Sequence, residues 1–162
     1  MQLFLIRHGI AAPGSAFHAD AERPLTPQGR ERFAQAVVGL QGLGVRLDRL
    51  YHSPWLRAVE TAALLRPVLH GAAVSSATLA RPPSQDLLQE IEGARVALVG
   101  HQPWLGELLT WLLVGSQSHD SAFAFKRGGV AWLEGQPQPG RMTLRAFLPP
   151  KVLRRLAEAT SP

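Results

Sequence analysis

The chain has 162 residues, a length that suits one domain over 1–162 and buries enough surface to fold without a disulfide or a structural metal. It has no cysteine, which excludes a disulfide scaffold, a thiolate zinc site and a cysteine nucleophile, and its 46% apolar and 18% charged content excludes a disordered chain. The net charge of +5 comes from 15 arginines and two lysines scattered in runs of at most two, without stacking repeats of aromatics, which speaks against nucleic acid and suits a field that attracts anionic substrates.

Residues 2–6 form a continuous apolar run with turn signals after it, the pattern of a buried strand. This N-terminus is too short for a signal sequence, and no apolar run reaches the roughly 18 residues of a membrane span. A cytoplasmic protein without membrane contact is expected. Thr26-Pro27 reads as an N-cap with proline at the first helical position; Phe33, Ala36, Val37, Leu40 and Leu43 come next at helical spacing until Gly42 and Gly44. A second strand covers 48–52. Ser53-Pro54 opens a second helix that runs to about Leu69. Val74 to Ala77 reads as a weaker third strand, and Ser84 caps a short helix through Leu87, Leu88 and Ile91.

Arg95 to Val99 is a clear fourth strand, and the helix after it carries Leu105, Leu108, Leu109 and Leu112. Two strand-like runs, Gly129–Leu133 and Met142–Phe147, flank a turn-rich segment and read as a hairpin. Pro149-Pro150 introduces a last basic helix at 151–159. Strands alternating with helices predict a three-layer α/β/α sandwich. Its central sheet is mostly parallel, with an antiparallel C-terminal hairpin at one edge.

The chemistry-bearing residues cluster just past the strand ends. Ligands of open α/β sheets bind beyond the carboxyl ends of the strands. Strand one ends in Arg7-His8-Gly9, strand two in His52-Ser53-Pro54 with Arg57 a turn later, and strand four in Gly100-His101-Gln102-Pro103. Two imidazoles and two guanidiniums can thus meet at one sheet edge. Two helix N-termini point there, and their free N–H groups favour an anion. Arginine suits bidentate contact with phosphate oxygens.

Singly, each residue has an ordinary structural role: a histidine at a strand end is commonly just hydrogen-bonded, and Arg57 can pair with Glu60 or Glu31. Their joint placement is what points to a phosphate site. There is no G-x-S-x-G elbow, Walker loop or G-x-G-x-x-G run. The six histidines lack i, i+4 spacing and adjacent carboxylates, so no metal site is expected. His18, His70 and His119 read as surface residues.

Leu5-Ile6-Arg7-His8-Gly9 resembles the Arg-His-Gly signature of the histidine phosphatase superfamily, whose fold is phosphoglycerate mutase-like. Arg23-Pro24-Leu25-Thr26 with Gly29, Ser53-Pro54-x-x-Arg57-Ala58-x-x-Thr61 and Gly100-His101-x-Pro103 come after it in the family order. The short chain and Asp20-x-x-Arg23-Pro24-Leu25-Thr26 resemble the small SixA-type phosphohistidine phosphatases. The resemblance implies that His8 is the nucleophile and carries the phosphoryl group. Arg7, Arg57 and His101 would hold the phosphate oxygens. Arg23, Gly9 and Gln102 would contact substrate. No metal or other cofactor is implied, because positioned cations supply most of the catalysis of phosphoryl transfer.

One departure bears on the substrate. Larger relatives carry an acidic residue near strand three that protonates the leaving oxygen. Here that stretch is Leu79-Ala80-Arg81-Pro82-Pro83, with no carboxylate before Asp86. Imidazole leaves phosphorus more readily than an alkoxide, so the absence favours phosphohistidine, with Asp20 and Asp86 left as candidate acids. The expected partner is a phosphorylated protein, such as a histidine-containing phosphotransfer domain, and the pocket should take phosphate or sulfate. A phosphatase of small esters or nucleotides, and a non-catalytic phosphoprotein-binding module, are the alternatives.

Overall fold

A computed structural model describes residues 1–17, 19–116 and 123–160. The first strand, β1 (Gln2–Arg7), pairs parallel with β4 (Arg95–Gly100), and β4 pairs parallel with β2 (Leu47–His52). The parallel edge is β3 (Leu69–Ser75). On the other side β5 (Val130–Gly135) runs antiparallel to β1, and β6 (Met142–Leu148) antiparallel to β5. The sheet order is therefore β3-β2-β4-β1-β5-β6. The mostly parallel sheet with its C-terminal hairpin edge matches the expectation.

Successive side chains of a strand point to opposite faces, and this sorts the core into two halves. Leu3, Leu5, Val96 and Leu98 face α3 (Gln85–Glu90) and α4 (Trp104–Val114), through Leu87, Leu88, Leu105, Leu108, Leu109 and Leu112. Phe4, Ile6, Ala97 and Val99 face α1 (Pro27–Gly42) and α2 (Leu56–Leu64), joined by Leu153 of α5 (Pro150–Thr160). Each fully buried Leu, Ile or Phe contributes about 1.5–3 kcal/mol relative to an exposed one. The central strands can be apolar throughout because both faces are covered.

Helix α1 begins as its sequence predicts. The Thr26 hydroxyl accepts the Gly29 N–H at 2.9 Å, and Pro27 needs no donor at that position. The helix crosses α5 at Gly39, where an added Cβ would stand 2.0 Å from the Leu153 carbonyl oxygen. Gly39→Ala should therefore lower stability by about 1–3 kcal/mol, the usual cost of overpacking. Denaturant unfolding checks this; an unchanged midpoint would contradict the close crossing.

Two elements differ from expectation. Helix α2 stops at Leu64, and a 3-10 turn over Arg66–Val68 comes next. Pro67 explains the stop, since a proline inside a helix removes a donor and clashes with the preceding turn. The third strand starts at Leu69, where a helix end is expected, and finishes at Ser75. As an edge strand it is exposed over most of its length, so its Leu-His-Gly-Ala-Ala-Val-Ser run carries no apolar signal. His70 is exposed as expected. His18 and His119 lie outside the described residues.

Candidate active site

Strand order explains why distant motifs meet. Strands β2, β4 and β1 are adjacent and parallel, so the residues just past them share one sheet edge. The His8 N–H donates to the Gly100 carbonyl at 3.1 Å, and the Ser53 N–H to the Val99 carbonyl at 3.0 Å. A pocket of about 330 Å³ opens there, lined among others by Arg7, His8, Arg57 and His101. All four residues assigned to a phosphate by sequence are brought together.

His8 is only 6% exposed. Its Nδ1 lies 2.7 Å from the Gly9 carbonyl oxygen. A carbonyl only accepts, so Nδ1 carries the proton and Nε2 keeps a lone pair. That lone pair accepts the Arg57 Nε–H at 3.2 Å. Burial pushes the His8 pKa down to about 3, helped by the Arg57, Arg7 and Arg127 charges and opposed by the bond to Gly9. His8 is thus a neutral imidazole at physiological pH. The Gly9 N–H donates to Thr61 Oγ1 at 3.0 Å, and that hydroxyl donates to the Arg57 carbonyl at 2.6 Å. Helix α2 thereby fixes the loop that holds the ring.

Arg57 is 5% exposed, so its charge requires partners. Besides His8 it bonds the Asp20 carbonyl at 2.6 Å and the Asp20 carboxylate at 2.7 Å. Arg23 holds the other oxygen of that carboxylate at 2.6 Å. These two arginines, Arg23 foremost, hold the Asp20 carboxyl below its usual range. The carboxylate therefore sits where an anionic ligand of the same arginines would sit. The Arg7 side chain donates to the Phe125 carbonyl at 2.5 Å, while its buried Nε has no partner among the described residues. Burial, then Arg127 and Arg57, lowers its pKa.

The Ser53 hydroxyl accepts the Trp55 N–H at 3.3 Å and lies 2.8 Å from His101 Nε2. The hydroxyl keeps a second lone pair, so it can either donate to Nε2 or accept from it, according to the His101 tautomer. The buried Nδ1 of His101 has no partner among the described residues. Burial, then the facing His8 and Arg57, brings the His101 pKa down to about 3. The Trp55 ring packs 4.4 Å from the His101 ring, and the Arg57 guanidinium carbon lies 4.6 Å above the same indole.

Arg23 and Gln102 also line the pocket. The Gln102 amide N–H donates to the Phe123 carbonyl at 3.1 Å, and its buried oxygen has no partner among the described residues. Gly9 does not line it: its N–H goes to Thr61 and its carbonyl to His8, so it positions the imidazole instead of contacting a ligand. Asp86 pairs with Arg81 at 3.2 Å on the surface, outside the pocket. None of Leu79–Pro83 lines the pocket either.

Trp55, Trp104 and Arg127 line it too, and sequence reasoning did not select them. Both tryptophans lie within or directly after a motif, Trp55 between Pro54 and Arg57 and Trp104 after Pro103. Arg127 carries no such mark. It arrives because β5 pairs antiparallel with β1, with Val130 opposite Ile6, so the start of β5 adjoins the end of β1. Among the described residues no group of three or more His, Cys, Asp or Glu gathers as a metal site would. No helix among them is long and apolar enough to cross a membrane.

The two buried histidines link stability to pH. Their pKa values fall from a reference near 6.5 to about 3 in the folded chain. Below pH 6.5 the unfolded chain binds protons that the folded chain refuses. Stability is therefore full above that pH and is lost as pH falls, with a slope of about 1.4 kcal/mol per unit for each histidine. Urea unfolding at pH 7, 6 and 5, above the carboxylate range, should show a falling midpoint. A flat midpoint would mean that these imidazoles are not buried neutral.

Residues 3–80 match the model of the histidine phosphatase superfamily, branch 1. An uncharacterised protein of Picosynechococcus sp. is 33% identical over 141 residues, covering 82% of this chain and 84% of the relative. Phosphohistidine phosphatase SixA of Escherichia coli K12 is 32% identical over 124 residues, covering 71% and 76%. A solved structure of the protein histidine phosphatase SixA with tungstate superposes with a TM-score of 0.78 at 27% identity, covering 94% of this chain and 99% of that one. The ordered motifs, the sheet that joins them and these likenesses agree: the chain belongs to the histidine phosphatase superfamily.

Proposed function

We propose that this chain is a phosphatase acting on phosphohistidine carried by a protein, such as a histidine-containing phosphotransfer domain in the cytoplasm. The observation that carries the reading is the neutral His8, with its Nε2 lone pair turned toward Arg57 in a pocket that also holds Arg7 and His101. Incoming phosphate takes the Arg57 and Arg23 donors from the Asp20 carboxylate. Arg57 then leaves Nε2, whose lone pair attacks phosphorus. The P–N bond to the substrate imidazole breaks, and its electron pair stays on that ring, which leaves as neutral imidazole because its other nitrogen already carries a proton. Arg7, Arg57 and His101 take up the charge on the equatorial oxygens. Water then attacks the phosphorus on His8, releases inorganic phosphate and restores the free imidazole.

The leaving group supports the same substrate. Asp20, the one carboxylate in the pocket among the described residues, is held ionised by two arginines and is a poor proton donor. An imidazole can leave without such a donor, whereas an alkoxide cannot. The SixA relative is by name a phosphohistidine phosphatase, and that substrate fits this chemistry. Because arginines supply the positive charge, a chelator should leave the rate unchanged.

A substrate panel tests the reading. Phosphohistidine protein, phosphohistidine amino acid and p-nitrophenyl phosphate should be cleaved at least about 10²-fold faster than an alkyl phosphate, the lower end of what one general acid contributes. Asp20→Asn should keep that order. Comparable wild-type rates on both classes, with selective loss of the alkyl ester in Asp20→Asn, would identify Asp20 as an acid. That outcome would make the chain a small-ester phosphatase.

A further inference from the structure

A second cleft, of about 340 Å³, adjoins the catalytic pocket. Ile10, Pro149 and Pro150 give it an apolar floor. Arg32, Lys126, Arg127, Lys151 and Arg154 form its rim, and among the described residues no acidic side chain lines it. Among the described residues none of these five side chains makes an ion pair or a hydrogen bond. By contrast, Arg23 and Arg57 of the pocket next door are both engaged by Asp20. Like charges crowded together repel, and no ion pair among the described residues offsets them here. Arg127 lines both cavities, so a molecule seated in the cleft extends directly to the phosphate pocket.

The shape of the charge identifies the occupant. The five cations come from α1, the approach to β5 and the start of α5. Five cations exceed the charge of one phosphate, which also has no use for an apolar floor. Several carboxylates flanking an apolar side chain match both features. We propose that the cleft docks an acidic surface patch of the phosphoprotein substrate. Its carboxylates pair with the rim, one apolar side chain rests on Ile10 and Pro150, and its phosphohistidine is thereby held over His8. This rests on the phosphohistidine-protein reading above and adds the part of the partner that is recognised.

The test compares wild type with the triple variant Arg32→Gln/Lys151→Gln/Arg154→Gln, which leaves the pocket residues intact. On a phosphotransfer domain with carboxylates around its phosphohistidine, the variant should lose about 10- to 100-fold in kcat/KM at low ionic strength, mainly through KM. The loss should shrink at high salt. On p-nitrophenyl phosphate the variant should stay within twofold of wild type, which also shows that it is folded. Direct titration with a hexaglutamate peptide gives a readout independent of turnover. Wild type should bind the peptide and the variant should not. Equal kcat/KM on the protein substrate, or equal peptide binding, would overturn the docking role. If wild type cleaves no protein-borne phosphohistidine but binds the peptide through these cations, the substrate reading fails while the acidic-partner cleft stands. Competition of the peptide by a small bisphosphate at equal affinity would reassign the cleft to a second phosphate.

Discussion

His8→Ala should lower kcat by at least about 10⁴-fold, on the scale seen when a nucleophile is removed from an active site. The effect should fall on turnover and not on binding. Arg7, Arg57 and His101 remain, and they are the groups assigned to the phosphate oxygens. The variant should therefore still bind inorganic phosphate, with an affinity within a few-fold of wild type. It should also fold, because the ring contributes one bond to Gly9 and one to Arg57. Calorimetric titration with phosphate, alongside turnover of phosphohistidine, separates the two roles. Residual activity above about one hundredth of wild type would remove His8 from the centre of the reaction.

Arg57→Ala should lower kcat/KM by about 10²–10³-fold, the usual cost of losing one donor to a developing oxyanion. This side chain links four features of the free site: His8 Nε2, the Asp20 carbonyl, the Asp20 carboxylate and the Trp55 ring. Its removal leaves the His8 lone pair and two Asp20 oxygens without their partner. Arg57→Lys should recover only part of the loss, because an ammonium cannot repeat the planar fork of donors. Full activity in Arg57→Lys would show that a point charge suffices there.

Much of this site is legible in the sequence, because each reactive residue stands where an apolar run stops. Arg7-His8, Ser53 to Arg57 and His101 sit at the ends of β1, β2 and β4, and parallel pairing does the rest. What escapes the sequence depends on tertiary pairing. Arg127 reaches the pocket only because the hairpin folds back on β1. The depression of the His8 pKa comes first from burial and only then from the nearby arginines. Burial on that scale arises where three strand ends and two helix starts converge, which no local pattern records. Edge strand β3 is misplaced in sequence because an exposed strand has no need of apolar residues. Pro67, a plain stop signal for α2, does mark where that strand's approach begins.

The most direct measurement is transfer of labelled phosphate. Phosphotransfer protein carrying labelled phosphohistidine is mixed with the enzyme and quenched in alkali within milliseconds. Phosphohistidine survives base and is lost in acid. The account predicts label on the chain in a base-stable, acid-labile form that maps to His8, appearing before inorganic phosphate and absent from His8→Ala. Stoichiometric label on another residue, or release of phosphate with no labelled intermediate at any time, would contradict it.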